Sequence, residues 1–251
     1  MKHNAIIGSG SGKLGNIVGY VRGGVQMERV YQPIVANPNT MRQQVSRRKM
    51  QMASVLAKNL AQSIRMGFGA MANSRVSPRN LFVKGAIPTG SGCIDGATLA
   101  DLEINYEKVT LTDGMQGNCP ISFGELDMDT PLTVTVPIET LDKSYNTNHT
   151  AAGAEQSVAI VIVVLNKTIG ASVMHTGILY NKETGTWGTA YEEGDNVAIR
   201  VPGSWQGSYV EVYAFTKLLP DALNGVDVSE FPYRIPGPST FTAYLGQGRV
   251  A

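Results

Sequence analysis

The apolar residues of this 251-residue chain change their period near residue 80, and that change limits what the chain can fold into. Upstream, Val45, Met52, Leu56, Leu60, Ile64, Phe68 and Met71 recur at spacings of three, four and seven, which gathers them on one helix face. Thr40 with Gln43 fits a capping box, and Pro38 is tolerated near a helix start. The spacing predicts one long amphipathic helix over 38–72. At about 1.5 Å per residue it would run roughly 45–50 Å. A helix of that length is expected to overhang a small β domain and to pack partly on another subunit or a second element.

Downstream the period becomes two. Strand-like runs fall at 98–105, 108–112, 132–138, 157–166, 172–180, 196–201 and 208–217, with a last short one near 240–245. Turn signals such as Asp113-Gly114, Thr184-Gly185 and Glu193-Gly194-Asp195 separate them. Only 16% of residues are charged and 28 are glycine, which suits a turn-rich β protein. The expected fold is mainly β: an antiparallel β-sandwich, with jelly-roll and immunoglobulin-like orders both open, preceded by a β-hairpin and the long helix. The hairpin is read from two alternating runs, 16–22 and 25–31, around Gly23-Gly24. Gly8 to Gly15 reads as an arm or a backbone-hugging loop, and Asn73 to Asn80 as a linker. The chain divides into a basic Gly-rich arm, hairpin and helix over 1–86 and a sandwich body with an extended C-terminal tail over 87–251.

Charge follows the same division. Residues 1–86 hold 13 of the 21 Lys and Arg but only one of the 20 acids, Glu28, so the near-zero total hides a basic front and an acidic body. A one-sided layout of this kind suits contact with a polyanion, or attraction between the front of one copy and the body of another. Arg42, Arg47, Arg48 and Lys49 occupy the first turns of the expected helix, where the macrodipole disfavours cations by about 0.3–1 kcal/mol each. External anions would account for them, either phosphates or acids of a neighbouring copy. Lys13, Arg22, Arg29, Arg75 and Arg79 share that sign outside the helix, and Lys58 and Arg65 extend it along the helix. These cations are the candidate nucleic-acid or subunit contacts. Phosphate contacts carry no sequence information, so no base preference follows.

The remaining motifs point away from catalysis. Gly10-Ser11-Gly12-Lys13-Leu14-Gly15 matches a dinucleotide-loop pattern, but a strand-like run follows where that loop needs a helix. Gly8-Ser9-Gly10-Ser11-Gly12 has glycine where a nucleophile elbow needs serine. His3, His149 and His175 are far apart, and Asp127 and Asp129 lack the EF-hand spacing, so neither zinc nor calcium is expected. Cys93 and Cys119 read as free thiols. Trp187, Trp205, Tyr209 and Tyr213 read as packing residues. The longest apolar run, Val158 to Leu165, suits a buried strand and is too short for a membrane span.

Several stretches resemble a domain-of-unknown-function family common in Bacteroidota and their phages. They are Gly12-Lys13-Leu14-Gly15-Asn16-Ile17-Val18-Gly19-Tyr20, Arg29, Asn37-Pro38-Asn39-Thr40-Met41-Arg42-Gln43-Gln44 with Arg47, Asn80-Leu81-Phe82-Val83-Lys84, and Ser239-Thr240-Phe241-Thr242-Ala243-Tyr244-Leu245-Gly246. The resemblance implies a source and an architecture, with no activity attached. The combined expectation is a non-enzymatic virion or capsid-type structural protein, with no cofactor. It would assemble with itself in the bacterial cytoplasm and touch nucleic acid through phosphates, without a membrane partner. The rival expectations are a non-assembling cytoplasmic nucleic-acid-binding module and a ligand- or protein-binding sandwich.

Overall fold

The computed structural model describes residues 12–22, 24–33, 39–73, 75–88, 90–143, 156–219 and 237–251. The chain begins with a three-stranded antiparallel sheet, β1 (Gly12–Leu14), β2 (Ile17–Arg22) and β3 (Val25–Val30). The expected hairpin is β2–β3, turning at Gly24 with a φ of +76° that favours glycine. The stretch read as an arm contributes β1, and Gly15, at φ +58°, turns it into β2. Residues 1–11 lie outside the described part, and with them the first two positions of the dinucleotide-like loop. Its remainder runs into β2, so the helix that a dinucleotide loop requires is replaced by a strand.

Three helices follow where one was expected: α1 (Met41–Asn59), α2 (Ala61–Gly67) and α3 (Pro78–Ala86). The break at Leu60 has a specific cause. A continuous helix would offer the Asn59 carbonyl to the amide of Ser63, but the Ser172 hydroxyl donates to that carbonyl at 2.6 Å. The chain keeps nearly the same heading, because Leu60 N–H still reaches the Leu56 carbonyl and Ile64 N–H the Leu60 carbonyl. The stretch read as a linker carries the start of α3. Ser77 Oγ accepts from Asn80 N–H, and Pro78 occupies the first helical position, where its missing N–H costs nothing.

Among the described residues the body has ten more strands. A two-stranded ribbon, β4 (Ile94–Asp95) with β5 (Glu103–Ile104), precedes β6 (Ile121–Phe123) and β7 (Thr133–Leu141). Then come β8 (Val158–Asn166), β9 (Ala171–Asn181), β10 (Thr186–Trp187), β11 (Asn196–Arg200), β12 (Tyr209–Leu218) and β13 (Ala243–Arg249). One sheet has the order β10-β9-β8-β12-β13 and another β11-β7-β6, and every pairing is antiparallel. With 38% strand against 22% helix, the protein is mainly β. The run expected at 108–112 is not a strand, and 98–105 shrinks to β5 beside a 3-10 turn at Tyr106–Lys108. The last short strand expected near 240–245 is β13, which pairs with β12 and edges the five-stranded sheet.

β8 explains how the layers assemble. It is buried at every position, so neither face of this central strand meets water. Val158, Ile160, Ile162 and Val164 enter one core, with Val134, Val136 and Ile138 of β7 and Val197 and Ile199 of β11. Ala159, Val161, Val163 and Leu165 enter the other, with Leu56, Leu60, Ile64 and Phe68 from the helices and Phe82 of α3. The three helices therefore lie on one face of the five-stranded sheet and the three-stranded sheet on the other. α1, at about 28 Å by helix rise, buries its apolar face on its own chain, and the expected overhang does not arise. Of the expected stripe, Met71 alone is largely exposed, at 48%. The boundary at residue 86 divides the charge but not the packing, since helices and body share a core.

Candidate polyanion interface

The layers carry opposite charge. Residues 39–88, which hold the helices, have nine Lys and Arg and no acid, and the first acid after Glu28 is Asp95. On the far side, the stretches that carry the three-stranded sheet, 121–143 and 189–200, hold eight acids against Lys143 and Arg200. Seven of those acids are exposed: Glu125, Asp127, Asp129, Glu139, Asp142, Glu192 and Glu193. The charge split is sharpest between the helices and the three-stranded sheet; the 93–111 segment, which packs into the same core as the helices, brings the exposed acids Asp101, Glu103 and Glu107 to the helix side as well.

The candidate cations fall into three groups. Lys13, Arg22 and Arg29 occupy one face of the β1–β3 sheet. The pairings Lys13 with Val18, Val18 with Arg29, and Arg22 with Val25 place these residues together, and Tyr20 and Met27 share their face. Lys13 Nζ lies 3.7 Å from the centre of the Tyr31 ring, a cation–π contact. The opposite face of that sheet carries the exposed Leu14, Ile17, Val21 and Val30, together with Gln26 and Glu28.

Arg42, Arg47 and Arg48 are exposed on the first turns of α1, as the sequence implies. Arg48 Nη1 donates to Gln51 Oε1 at 2.8 Å, and Arg47 Nη1 reaches Asn39 Oδ1 at 3.5 Å. Lys49 differs from them. It is only 7% exposed and stands 3.8 Å from Asp95 Oδ1 on β4. The Gly96 amide and, to a lesser degree, Lys49 hold the Asp95 carboxyl below its ordinary range. Lys49 is thus tied to the body and is poorly placed to meet an external anion.

Arg75 lies between α2 and α3, and Arg79 in the first turn of α3. Arg79 lines a groove of about 520 Å³ together with Lys58 and Arg65, and Val55, Ala61 and Ile64 line it too. Lys58 and Arg65 are seven residues apart and so share a helix stripe across the break at Leu60. That spacing was readable in the sequence; the arrival of α3 opposite them was not.

Several polar groups elsewhere pair with one another. Glu211, buried at 2% exposure, pairs with Lys167 at 2.5 Å and accepts from Tyr244 OH at 2.6 Å, while Lys167 also reaches Gln247. Burial and the Glu211 charge push the Tyr244 hydroxyl well above its ordinary range. His175 Nε2 and Tyr191 OH are 3.1 Å apart, and burial lowers the imidazole, which favours its neutral form. Cys93 and Cys119 are free, and burial pushes both thiols up to about 11, away from the reactive thiolate. Lys217 is fully buried, and its Nζ donates to the Gly237 carbonyl at 2.7 Å and approaches Ser239 Oγ at 3.4 Å. Desolvation brings it down to about 8, with Asp113 acting in the opposite direction. Among the described residues no three His, Cys, Asp or Glu side chains gather as metal ligands, and no helix is long and apolar enough to cross a membrane.

Compared with protein-family models, curated proteins and solved structures, the chain has no match.

Proposed function

We propose that the protein is a non-enzymatic structural subunit of a virion or capsid-type assembly. In this reading the two facing sheets act as a β-sandwich wall, the helical layer turns towards packaged nucleic acid, and the acid-rich sheet turns away from it. The observation that carries the reading is the opposite charge of the two outer layers. The stretch that holds the helices exposes eight Lys and Arg and no acid, which attracts phosphates to it, and the acid-rich sheet repels phosphates. The non-enzymatic part is supported by the polar clusters, which are occupied with each other: Lys167–Glu211–Tyr244 and His175–Tyr191. The phage context is supported only by the resemblance of the N-terminal motifs, and assembly would take place in the bacterial cytoplasm.

The same charge split favours a second reading. The acid-rich sheet of one copy is itself a partner for the helical layer of the next, and that head-to-tail contact would close a ring or extend a filament. The test compares wild type with Arg42→Gln/Arg47→Gln/Arg48→Gln for oligomer size and co-purifying nucleic acid. Loss of nucleic acid with assembly retained is the expected result. Loss of assembly in nucleic-acid-free samples would favour the neighbour contact. Unchanged size and unchanged nucleic-acid content would overturn both readings. The triple variant should keep its stability within about 0.5 kcal/mol, because exposed side chains away from caps and cores contribute little.

A further inference from the structure

We propose that the groove between α1, α2 and the start of α3 seats one nucleotide of a single-stranded nucleic acid. The phosphate would meet Lys58, Arg65 and Arg79, and the base would lie against Val55, Ala61 and Ile64. This inference rests on the phosphate-binding reading above and adds to it a place and a strand state.

Three features single out this part of the basic layer. The first is volume: about 520 Å³ lies within the roughly 300–1,000 Å³ of pockets that hold small organic groups. A flat basic face can hold phosphates, but a recess of this size takes a group with bulk. The second is composition. The cations come from three separate elements and border apolar lining residues, so the groove is amphipathic in the way a nucleotide is. The third is rigidity. Ile64 is 1% exposed and packs into the core under the helices, which fixes that part of the lining, while Val55, at 53%, presents its side chain to the opening.

The strand state follows from the geometry of bases. A base inside a duplex is stacked and paired and cannot enter a side recess, whereas a single strand can turn one base into it. Electrostatics favour entry, since the chain has no acid between Glu28 and Asp95 to repel a phosphate. Gln51 and Ser54 line the same groove and offer hydrogen bonds to a base edge.

The experiment measures binding of a short labelled oligothymidylate by fluorescence anisotropy at several salt concentrations. Ser54→Trp fills the groove without changing charge, and Ala61→Phe is a second filling variant in case the first does not fold. Circular dichroism and thermal unfolding check both. Filling should weaken binding about tenfold, as expected when one base is shut out of its seat. Lys58→Gln/Arg65→Gln/Arg79→Gln should reduce the salt slope by about 0.7 for each phosphate that is no longer neutralised. If folded filling variants bind as wild type does while Arg42→Gln/Arg47→Gln/Arg48→Gln weakens binding, the strand runs across the open face. That result overturns the groove inference and leaves the phosphate-binding reading standing. Wild type that binds no oligonucleotide even at low salt overturns the phosphate-binding reading and the groove with it. Adenosine monophosphate binding as tightly as the oligonucleotide, or a filling variant that loses self-association without nucleic acid, also overturns the proposed occupant.

Discussion

The helical layer and the three-stranded sheet cover opposite faces of one central sheet, and they differ in how they meet solvent. The helices bury Ala53, Leu56, Leu60 and Ile64 and turn outward a face with no carboxylate. The three-stranded sheet buries Val134, Val136, Ile138, Val197 and Ile199 and carries its acids on strand exteriors and loops. Both layers are anchored by alternate residues of the same strand, β8, which has no room for charge of its own. The difference shows that a fold can fix where two layers sit while leaving the sign of their outer faces open. Here those signs are segregated by sequence order, because the helices come from the front of the chain and the strands from the remainder.

The largest expected effect comes from cutting the helical layer off its support. Leu56→Asp places a carboxylate in the core shared with β8 and β12, at a cost of several kcal/mol. Thermal unfolding should show loss of the native transition. A normally folded variant would mean that this layer is held by something other than its apolar face.

Close backbone approaches offer a finer comparison. A Cβ on Gly67 would collide with the Leu111 carbonyl, which is rigid backbone. A Cβ on Gly177 would meet the Tyr191 hydroxyl, the end of a side chain that can swing aside at the expense of its hydrogen bond with His175. Gly67→Ala should therefore cost about 1–3 kcal/mol by overpacking. Gly177→Ala should cost less, as measured by denaturant midpoints. The reverse order would show that the helical layer yields more readily than the edge of the sheet.

The most gradual effect concerns pH, because it is spread over more than two pH units. The folded protein holds Lys217 at about 8, below the ordinary lysine value of about 10.4. Between those values the unfolded chain binds a proton that the folded chain does not, so this residue's contribution to stability rises with pH across that window. Below pH 8 both states are protonated and the burial cost is at its full value. Cys93 and Cys119, held up to about 11, act in the opposite sense above their unfolded values, so the lysine contribution must be isolated by difference. Relative to Lys217→Met, wild type should gain about 1.4 kcal/mol per pH unit from pH 8 towards 10.4. A constant difference between the two proteins would show that Lys217 keeps its proton when folded.

The sequence was most legible where one local pattern decided the outcome. The alternation around Gly23-Gly24 led to the hairpin, and the apolar run at Val158 to Leu165 led to β8. The helical stripe named residues that share a core with the sheet, from Met52 to Phe68. What it lacked was set by contacts between distant residues. The helix breaks because Ser172, more than a hundred residues later, takes the Asn59 carbonyl. Ser77-Pro78 was a readable start signal for α3, obscured by the polar residues around it. Two-residue strands such as β4 and β10 have no period to detect. In the candidate interface, the sequence indicated the sign of the cations but treated Lys49 like its neighbours. Only packing shows that Lys49 faces Asp95 and that Arg79 lines one groove with Lys58 and Arg65.

The layered charge has a consequence for how the protein behaves as a particle. With a formal net charge of +1 at pH 7, it should scarcely migrate in an electric field. Its opposed faces nevertheless give it a large electric moment, so it should turn in that field even though it does not travel. On a chromatography bed it should be retained by resins of either sign, helices down on the acidic one and strands down on the basic one.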